Sequence, residues 1–272
     1  MRDLALHQIT MMDGGPEGLV RFAKEMGISR VCLFTASPAH EDGRDMFPVV
    51  APDDQRKMRA LLDECGVSIL NAEYFPVTAD HDVTDYLPAI DCAAALGAKR
   101  LITHIHETMP GRAEDQLAAL CSMARERGLE VGLEFTGFAA GCNSLQKAVD
   151  LHGRLDQSNL AIAVDALHLF RTGGTLTQLE AADPAIIGYA QLCDGPDLRL
   201  SSDYLDEAMN RMLPGQGVFP LQKFVTLLGP HVDIDIEVPC FRSGASADAR
   251  IWAREAIAAS RLLFLAENDH PR

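Results

Sequence analysis

Three carboxylates and one amide stand at or near the C-terminal ends of separate β-rich runs in the sequence. They are Glu134, Asp165, Gln191 and Glu237, in the runs 129–135, 160–166, 186–194 and 232–238. In a parallel β/α barrel such strand ends converge on one face, where active sites are built. Four oxygen donors gathered at one point suit a hard or borderline divalent cation such as Mg²⁺ or Mn²⁺. The residues therefore predict a metal site on that face.

A repeated local pattern indicates the architecture that would position these residues. A glycine ends a helix-like stretch and precedes a β-rich run at residues 27, 66, 97 and 128, with spacings of 39, 31 and 31 residues. Glycine takes the left-handed conformation that commonly ends helices. Repeated helix–glycine–strand units predict an α/β fold with a parallel sheet.

Eight β-rich runs are spaced along the chain, and helix-like stretches fill most of the gaps. The predicted strands are 3–9, 28–35, 67–75, 99–106, 129–135, 160–166, 186–194 and 232–238, and the predicted helices are 52–65, 87–96, 113–127, 145–155, 221–228 and 247–265. This count predicts a closed (β/α)8 TIM barrel that spans residues 1–272 as one domain. A doubly wound open sheet is the alternative.

Strand alternation gives a second expectation about these residues. In the run 232–238, bulky apolar side chains alternate with three acids, which are Asp233, Asp235 and Glu237. We expect the bulky face to pack on helices and the acids to face the barrel interior. A half-exposed antiparallel sheet would show the same alternation. Asp233 and Asp235 would need interior partners that the sequence does not identify.

A long insertion, residues 194–218, follows the seventh predicted strand. Insertions of this length are usually functional or disordered, and this one would overhang the active face as a lid. Asp194 is expected either to orient a metal ligand or to cap the loop. Asn143 is expected to cap the helix that follows the fifth strand.

The overall composition restricts the class of partner. The chain has 272 residues and a net charge of −15, and such an acidic surface repels nucleic acid and anionic membranes. The N-terminal residues lack the apolar core of a signal peptide. The seven cysteines include no Cys-x-x-Cys pair, which is typical of buried thiols in a reducing compartment. These features predict a cytoplasmic protein whose partner is neither nucleic acid nor a membrane, and a homo-oligomeric state stays open.

Five runs in this order resemble the sugar phosphate isomerase/epimerase family, which belongs to the xylose isomerase-like TIM barrels. They are residues 132–134 (GLE), 164–168 (VDALH), 191–194 (QLCD), 214–217 (PGQG) and 235–238 (DIEV). The resemblance implies that Glu134, Asp165, Gln191 and Glu237 are the four metal ligands. Many members have histidine where this chain has Gln191, but glutamine also occurs. His168 matches an Asp-x-x-His feature of the family's active site.

The C-terminal half looks most like 3-dehydroshikimate dehydratases, especially over residues 211–217 and in the region after Glu237 that contains Arg242. The third strand departs from that group. Its end, residues 72–76 (AEYFP), lacks the arginine that would hold the substrate carboxylate. The resemblance therefore leaves the substrate open.

The reactions of the family share the removal of a proton next to a carbonyl, with a metal stabilising the enediolate or enolate. In an epimerase-like reaction Glu134 and Glu237 would serve as acid and base, whereas in a dehydratase-like reaction His168 would be the base. Five residues near strand ends or loops are candidate substrate ligands: Glu73, His104, His106, Arg211 and Arg242.

The sequence accordingly predicts a Mn²⁺- or Mg²⁺-dependent isomerase or epimerase of a small, sugar-like polyhydroxy ketone. The first alternative is a lyase of the 3-dehydroshikimate dehydratase type, and the second is a non-catalytic sugar-binding barrel. No Gly-x-Gly-x-x-Gly follows a strand, which argues against a Rossmann dehydrogenase. The lack of a phosphate-binding glycine loop after the last two strands favours an unphosphorylated substrate.

Overall fold

A closed barrel of eight parallel strands forms the centre of the computed structural model, which describes residues 2–38, 43–241 and 246–266. The strands are β1 (Leu4–His7), β2 (Arg30–Phe34), β3 (Ser68–Glu73), β4 (Arg100–Thr103), β5 (Glu130–Glu134), β6 (Leu160–Asp165), β7 (Ile187–Leu192) and β8 (Asp233–Ile236). They pair in chain order, and β8 pairs with β1 to close the barrel. The predicted TIM barrel is confirmed, and the open sheet is wrong. That the barrel is the chain's one domain stays a prediction.

Helices occupy the connections between the strands. Within the described residues they are α1 (Gly15–Glu25), α2 (Gln55–Cys65), α3 (Leu87–Leu96), α4 (Pro110–Arg125), α5 (Leu145–Arg154), α6 (Ala166–Arg171), α7 (Leu176–Ala181), α8 (Tyr204–Met209), α9 (Leu221–Leu227) and α10 (Ser246–Ala266). The short helix α8 lies inside the predicted lid segment, whose sequence indicated only a loop. None of the described helices is long and apolar enough to cross a membrane.

The four glycines predicted to end helices, at residues 27, 66, 97 and 128, all take the left-handed conformation, but one predicted helix cap is wrong. Gly66 and Gly97 take φ angles of 65° and 78° and cap α2 and α3 through their backbone N–H groups. The predicted cap of α5 by Asn143 is wrong. Ser144 is the N-cap instead, because its extended backbone lets its side chain accept a hydrogen bond from the Lys147 N–H at 3.3 Å.

The two faces of the strands carry side chains of different size. The large apolar side chains pack between sheet and helices, as Leu133 and Ile236 do. A smaller cluster, which includes Ala163, Ile102 and Tyr189, fills the barrel interior. The predicted alternation, with bulky apolar side chains towards the helices, is confirmed. The antiparallel alternative is wrong because every pair of neighbouring strands is parallel.

Asp233 has the interior partners that the sequence could not identify. Arg100 is 1% exposed, and its Nη2 donates to Glu130 Oε2 at 2.7 Å and to Asp233 Oδ2 at 3.3 Å. Asp233 also accepts from Arg30 Nη1 at 2.6 Å and from Lys99 Nζ at 2.7 Å. These residues lie at the N-terminal ends of their strands, away from the predicted active face, so the cluster stabilises the fold.

We expect Asp233→Ala to lower the free energy of unfolding by about 2–3 kcal/mol, because the buried guanidinium of Arg100 and the partly buried guanidinium of Arg30 lose an acceptor. Urea denaturation measures this change. Asp63→Ala is the matched control, since Asp63 pairs with Arg59 on an exposed helix surface and should contribute little. Equal effects of the two substitutions would contradict a special role for the Asp233 cluster.

The difference in stability between the wild type and Asp233→Ala should depend on pH. Burial alone would raise the pKa of Asp233, but hydrogen bonds from Lys99 and Arg30 outweigh it and lower the pKa below the ordinary 3.8. A lowered pKa stabilises the fold above the unfolded-state value, and this stabilisation disappears as pH falls through the folded-state value. The difference in free energy of unfolding between the wild type and Asp233→Ala should therefore become smaller below pH 3.8.

Candidate metal centre and active site

The four predicted metal ligands lie at the C-terminal end of the barrel. Glu134 and Asp165 are the last residues of β5 and β6, Gln191 is the penultimate residue of β7, and Glu237 directly follows β8. All four are buried, with relative exposures of 0–7%. The register of the sheet places Asp165 beside Gln191. The strand-end positions therefore agree with the sequence analysis, whereas the role of these residues as ligands stays a prediction.

Glu134, Asp165 and His168 form the tightest group. One potential ligand atom from each lies within 4.8 Å of the other two, and all three side chains are buried. The Asp-x-x-His spacing has a local cause, because Asp165 caps α6 by accepting a hydrogen bond from the His168 backbone N–H at 2.9 Å. This buried Glu–Asp–His group can hold a metal ion.

Arg211 joins Glu237 to this group. Its Nη1 donates to Asp165 Oδ2 at 2.6 Å and to Glu237 Oε2 at 3.0 Å. Gln191 Nε2 donates to the same Glu237 oxygen at 2.5 Å. Arg211 is only 6% exposed, so it is not a surface arginine, and in this structure it binds protein carboxylates. Its predicted contact with a substrate stays a prediction.

The donor set fits a divalent cation. The Gln191 Oε1 atom is buried and accepts no hydrogen bond. A buried acceptor without a partner is costly, and a cation would satisfy it. Three carboxylates and this amide oxygen, with an imidazole beside them, are typical ligands of Mg²⁺, Mn²⁺ or Zn²⁺.

The two glutamates of the site have pKa values displaced in opposite directions. Burial opposes the ionisation of Glu134, but His104 and His168 outweigh it and hold its pKa well below the usual range. Burial raises the pKa of Glu237, although Arg211 and His7 counteract it. Glu134 is therefore firmly anionic, whereas Glu237 takes up a proton more readily.

A buried histidine lies among the remaining acids. His7 Nε2 is 3.5 Å from Glu73 Oε1 at the end of β3. Burial alone would lower the pKa of His7, but Glu237, Glu73 and Asp235 raise it to about 10. Burial raises the pKa of Asp235 well above its usual value, although the neighbouring His7 favours the ionised carboxylate and counteracts part of this rise. Glu73 thus contacts His7 here, and its substrate role stays a prediction.

Imidazole and aromatic rings form one side of the site. His104 Nε2 is 3.1 Å from Glu134 Oε2, and His106 Nε2 is 2.9 Å from the Tyr74 hydroxyl. Burial, with a smaller effect of His104, lowers the pKa of His106 to about 4, so this imidazole is neutral at neutral pH. Phe138 stacks on His106 with ring centroids 6.3 Å apart and is 42% exposed. Substrate contact by either histidine stays a prediction.

Sequence reasoning missed the roles of three aromatic residues at the site: Tyr74, Phe138 and Tyr204. None belongs to a chemical motif. Tyr74 directly follows Glu73 and Phe138 lies four residues after Glu134, so a search of every loop after a strand end would have found these two. Tyr204 lies in α8 and reaches His168 across 36 residues of sequence, which no local pattern reveals. The predicted substrate ligand Arg242 lies outside the described residues.

Asp194 organises the base of the insertion. Its carboxylate accepts hydrogen bonds from the backbone N–H groups of Gly195, Gly215 and Phe219, each at 2.9 Å. Of the two roles expected from the sequence, the structure shows the loop cap. The turn at residues 214–217 is held close to β7 by these bonds.

The chain matches the family model of the xylose isomerase-like TIM barrel over residues 20–264. Over 117 residues it is 32% identical to 3-dehydroshikimate dehydratase of Pseudomonas aeruginosa. That alignment covers 43% of this chain and only 18% of the length of the relative.

Two solved structures have the same fold. The IolI protein with a bound zinc atom superposes with a TM-score of 0.75 at 16% identity, covering 95% of this chain and 98% of IolI. D-psicose 3-epimerase from Clostridium cellulolyticum H10, solved with D-tagatose, superposes with a TM-score of 0.72 at 11% identity, covering 96% and 99% of the two chains. At these identities the likeness establishes the fold alone.

We expect Asp194→Ala to loosen the insertion, because three backbone N–H groups lose their acceptor. Hydrogen exchange followed by mass spectrometry should show faster exchange in peptides that contain Gly215 and Phe219. Asp197→Ala is the control, because Asp197 lies in the same insertion but is partly exposed and bonds only to its neighbours Leu198 and Arg199 among the hydrogen bonds of the described residues. Unchanged exchange in the Asp194 variant would show that other contacts hold the loop.

Proposed function

The chain belongs to the xylose isomerase-like TIM barrel family, and we propose that it is a divalent-metal-dependent isomerase or epimerase of a small polyhydroxy ketone. One observation carries the choice of reaction. Both ring nitrogens of His168 are engaged, Nε2 at 3.2 Å from Glu134 Oε1 and Nδ1 at 2.5 Å from the Tyr204 hydroxyl. Each imidazole nitrogen offers only one donor or acceptor position, whereas a carboxylate has about four lone-pair sites. Glu134 and Glu237 also accept hydrogen bonds, but their remaining lone pairs leave them better placed than His168 to exchange a proton with a substrate.

Glu134, Asp165, Gln191 and Glu237 would hold Mn²⁺ or Mg²⁺. When bound, such a cation stabilises the negative charge that develops on the ketone and neighbouring hydroxyl oxygens of the substrate as the α proton leaves. The unpartnered Gln191 oxygen and the burial of all four side chains support this assignment.

The two glutamates divide the proton transfers between them. Glu134 comes from β5 and Glu237 follows β8, three strands further around the barrel. In one direction Glu134, which His104 and His168 keep anionic, takes the α proton, and Glu237 returns a proton to the substrate. Two carboxylates with separated pKa values are the usual means of dividing acid and base roles.

The lining of the site indicates the kind of substrate. Four buried carboxylates, including that of Glu73, repel an anion, and Arg211 is already paired with two of them. The neutral His106 and the exposed ring of Phe138 suit uncharged hydroxyl groups and the C–H face of a sugar-like molecule. We therefore propose an unphosphorylated substrate.

A dehydratase is the second candidate. The 32% identity to 3-dehydroshikimate dehydratase over 117 residues favours it. In that reaction His168 would have to release one of its two contacts to act as a base. A non-catalytic barrel that binds a sugar is the third candidate, and it predicts metal retention without proton exchange.

We expect isothermal titration calorimetry to show one Mn²⁺ site per chain after treatment with a chelator. Glu134→Gln should abolish measurable binding, because an anionic ligand is replaced by a neutral amide. Glu126→Gln, on an exposed surface, should leave binding unchanged. Tight binding that survives in the Glu134 variant would contradict the proposed ligand set.

The test of the reaction is proton NMR in D₂O with Mg²⁺-loaded protein and a panel of ketoses, hydroxypyruvate, inososes and 3-dehydroshikimate. We expect deuterium to enter next to a carbonyl and an isomer to appear. Glu237→Gln should slow this exchange by about 10²–10⁴-fold, the usual effect of losing an acid–base group, while Glu126→Gln should not.

Other outcomes of this NMR experiment separate the candidates. New vinyl or aromatic signals would establish the dehydratase instead of the isomerase. Retained metal with no exchange across the panel would favour the non-catalytic barrel.

A further inference from the structure

Tyr204 is the first residue of the short helix α8, and its side chain reaches His168, the neighbour of the proposed base Glu134. Its hydroxyl oxygen lies 2.5 Å from His168 Nδ1, 3.1 Å from Thr136 Oγ1 and 2.8 Å from the Gly137 backbone nitrogen. The hydroxyl thus connects the insertion with the loop after β5 and with α6.

The chemistry of these partners determines which atom donates in each contact. A carboxylate oxygen that faces an imidazole nitrogen at hydrogen-bond distance is the acceptor, so His168 Nε2, 3.2 Å from Glu134 Oε1, is assigned as the donor between them. In a neutral imidazole Nδ1 is then the acceptor, and the Tyr204 O–H donates to it. The Tyr204 oxygen in turn accepts from the Gly137 N–H and from the Thr136 hydroxyl.

Two ion pairs hold α8 in the position that this chain of hydrogen bonds requires. Glu207, three residues after Tyr204, forms a bidentate pair with Arg171 at 2.5 and 2.6 Å. Arg211, which follows α8, binds Asp165 at 2.6 Å. The segment 204–211 therefore contacts Asp165 and α6 at three separate points.

We infer that Tyr204 is a positioning residue, which holds His168 in the tautomer that donates from Nε2 to Glu134. The inference rests on the proposed function for its catalytic consequence, because Glu134 is the proposed base. Without the Tyr204 hydroxyl, the imidazole can rotate or change tautomer, and Glu134 loses an oriented donor. Tyr204, a residue of the insertion, thereby affects the hydrogen bonding of Glu134 through His168.

The tautomer can be measured without any substrate. Protein labelled with ¹⁵N-histidine gives long-range ¹H–¹⁵N spectra that distinguish a protonated Nε2 from a protonated Nδ1, and His168→Gln assigns the signal. We expect the wild type to carry the proton on Nε2, both with and without Mg²⁺. In Tyr204→Phe the signal should move towards a mixture of tautomers.

Two further variants serve as controls. Thr136→Val removes a donor to Tyr204 but leaves the bond to Nδ1, so it should retain the Nε2 tautomer. Tyr86→Phe removes a phenol that donates to the Pro76 carbonyl at 3.1 Å, away from His168, and should also leave the signal unchanged.

The outcomes separate this inference from the proposed function. A proton on Nδ1 in the wild type, or an unchanged signal in Tyr204→Phe, would overturn the inference. If the protein exchanges a substrate proton, Tyr204→Phe should lower kcat about 10–100-fold with little change in KM, the usual effect of removing a partner that orients an active-site group. An unchanged kcat would overturn the catalytic consequence. The predicted tautomer with no exchange on any ketone would support the positioning role and reject the proposed function.

Discussion

The burial of several carboxylates at one place is the constraint on which the active face depends. Glu134, Asp165 and Glu237 come from separate strands and are all nearly inaccessible to solvent. Ionised carboxylates are costly in such a site unless positive charges or hydrogen-bond donors compensate them. The donors found around them, His104, His168 and Arg211, meet this need, and a divalent cation would meet it further.

This constraint explains why the insertion after β7 is ordered against the barrel. Arg211 pairs with two of the buried acids, Tyr204 binds His168, and Glu207 binds Arg171. The opposite end of the barrel has its own buried ion cluster around Arg100 and has no comparable insertion among the described residues. Chemistry and stability are therefore divided between the two ends of the strands, as is usual in this architecture.

The sequence predicted the fold and the position of the principal residues because both follow from local rules. Helix–glycine–strand repeats and strict alternation in the run 232–238 were sufficient for the barrel and for the inward direction of its acids. The contacts of Tyr204 and Arg211 were not predictable, since they depend on how a 25-residue insertion folds back over the barrel. The cap of α5 was also not predictable, because the adjacent residues Asn143 and Ser144 can both cap a helix and only the backbone conformation selects Ser144.

The same geometry decides which side chains are suited to move protons. Both ring nitrogens of His168 are engaged, whereas the carboxylates of Glu134 and Glu237 have further lone pairs, so we place proton transfer on the two glutamates and give His168 an orienting role. Both roles depend on a cation held by the four strand-end residues. The most direct measurement is therefore X-ray diffraction from crystals soaked in Mn²⁺, recorded on both sides of the manganese absorption edge. We expect a single anomalous peak within coordination distance of Glu134, Asp165, Gln191 and Glu237. The lack of a peak there, with Arg211 still joining Asp165 to Glu237, would contradict the proposed metal site.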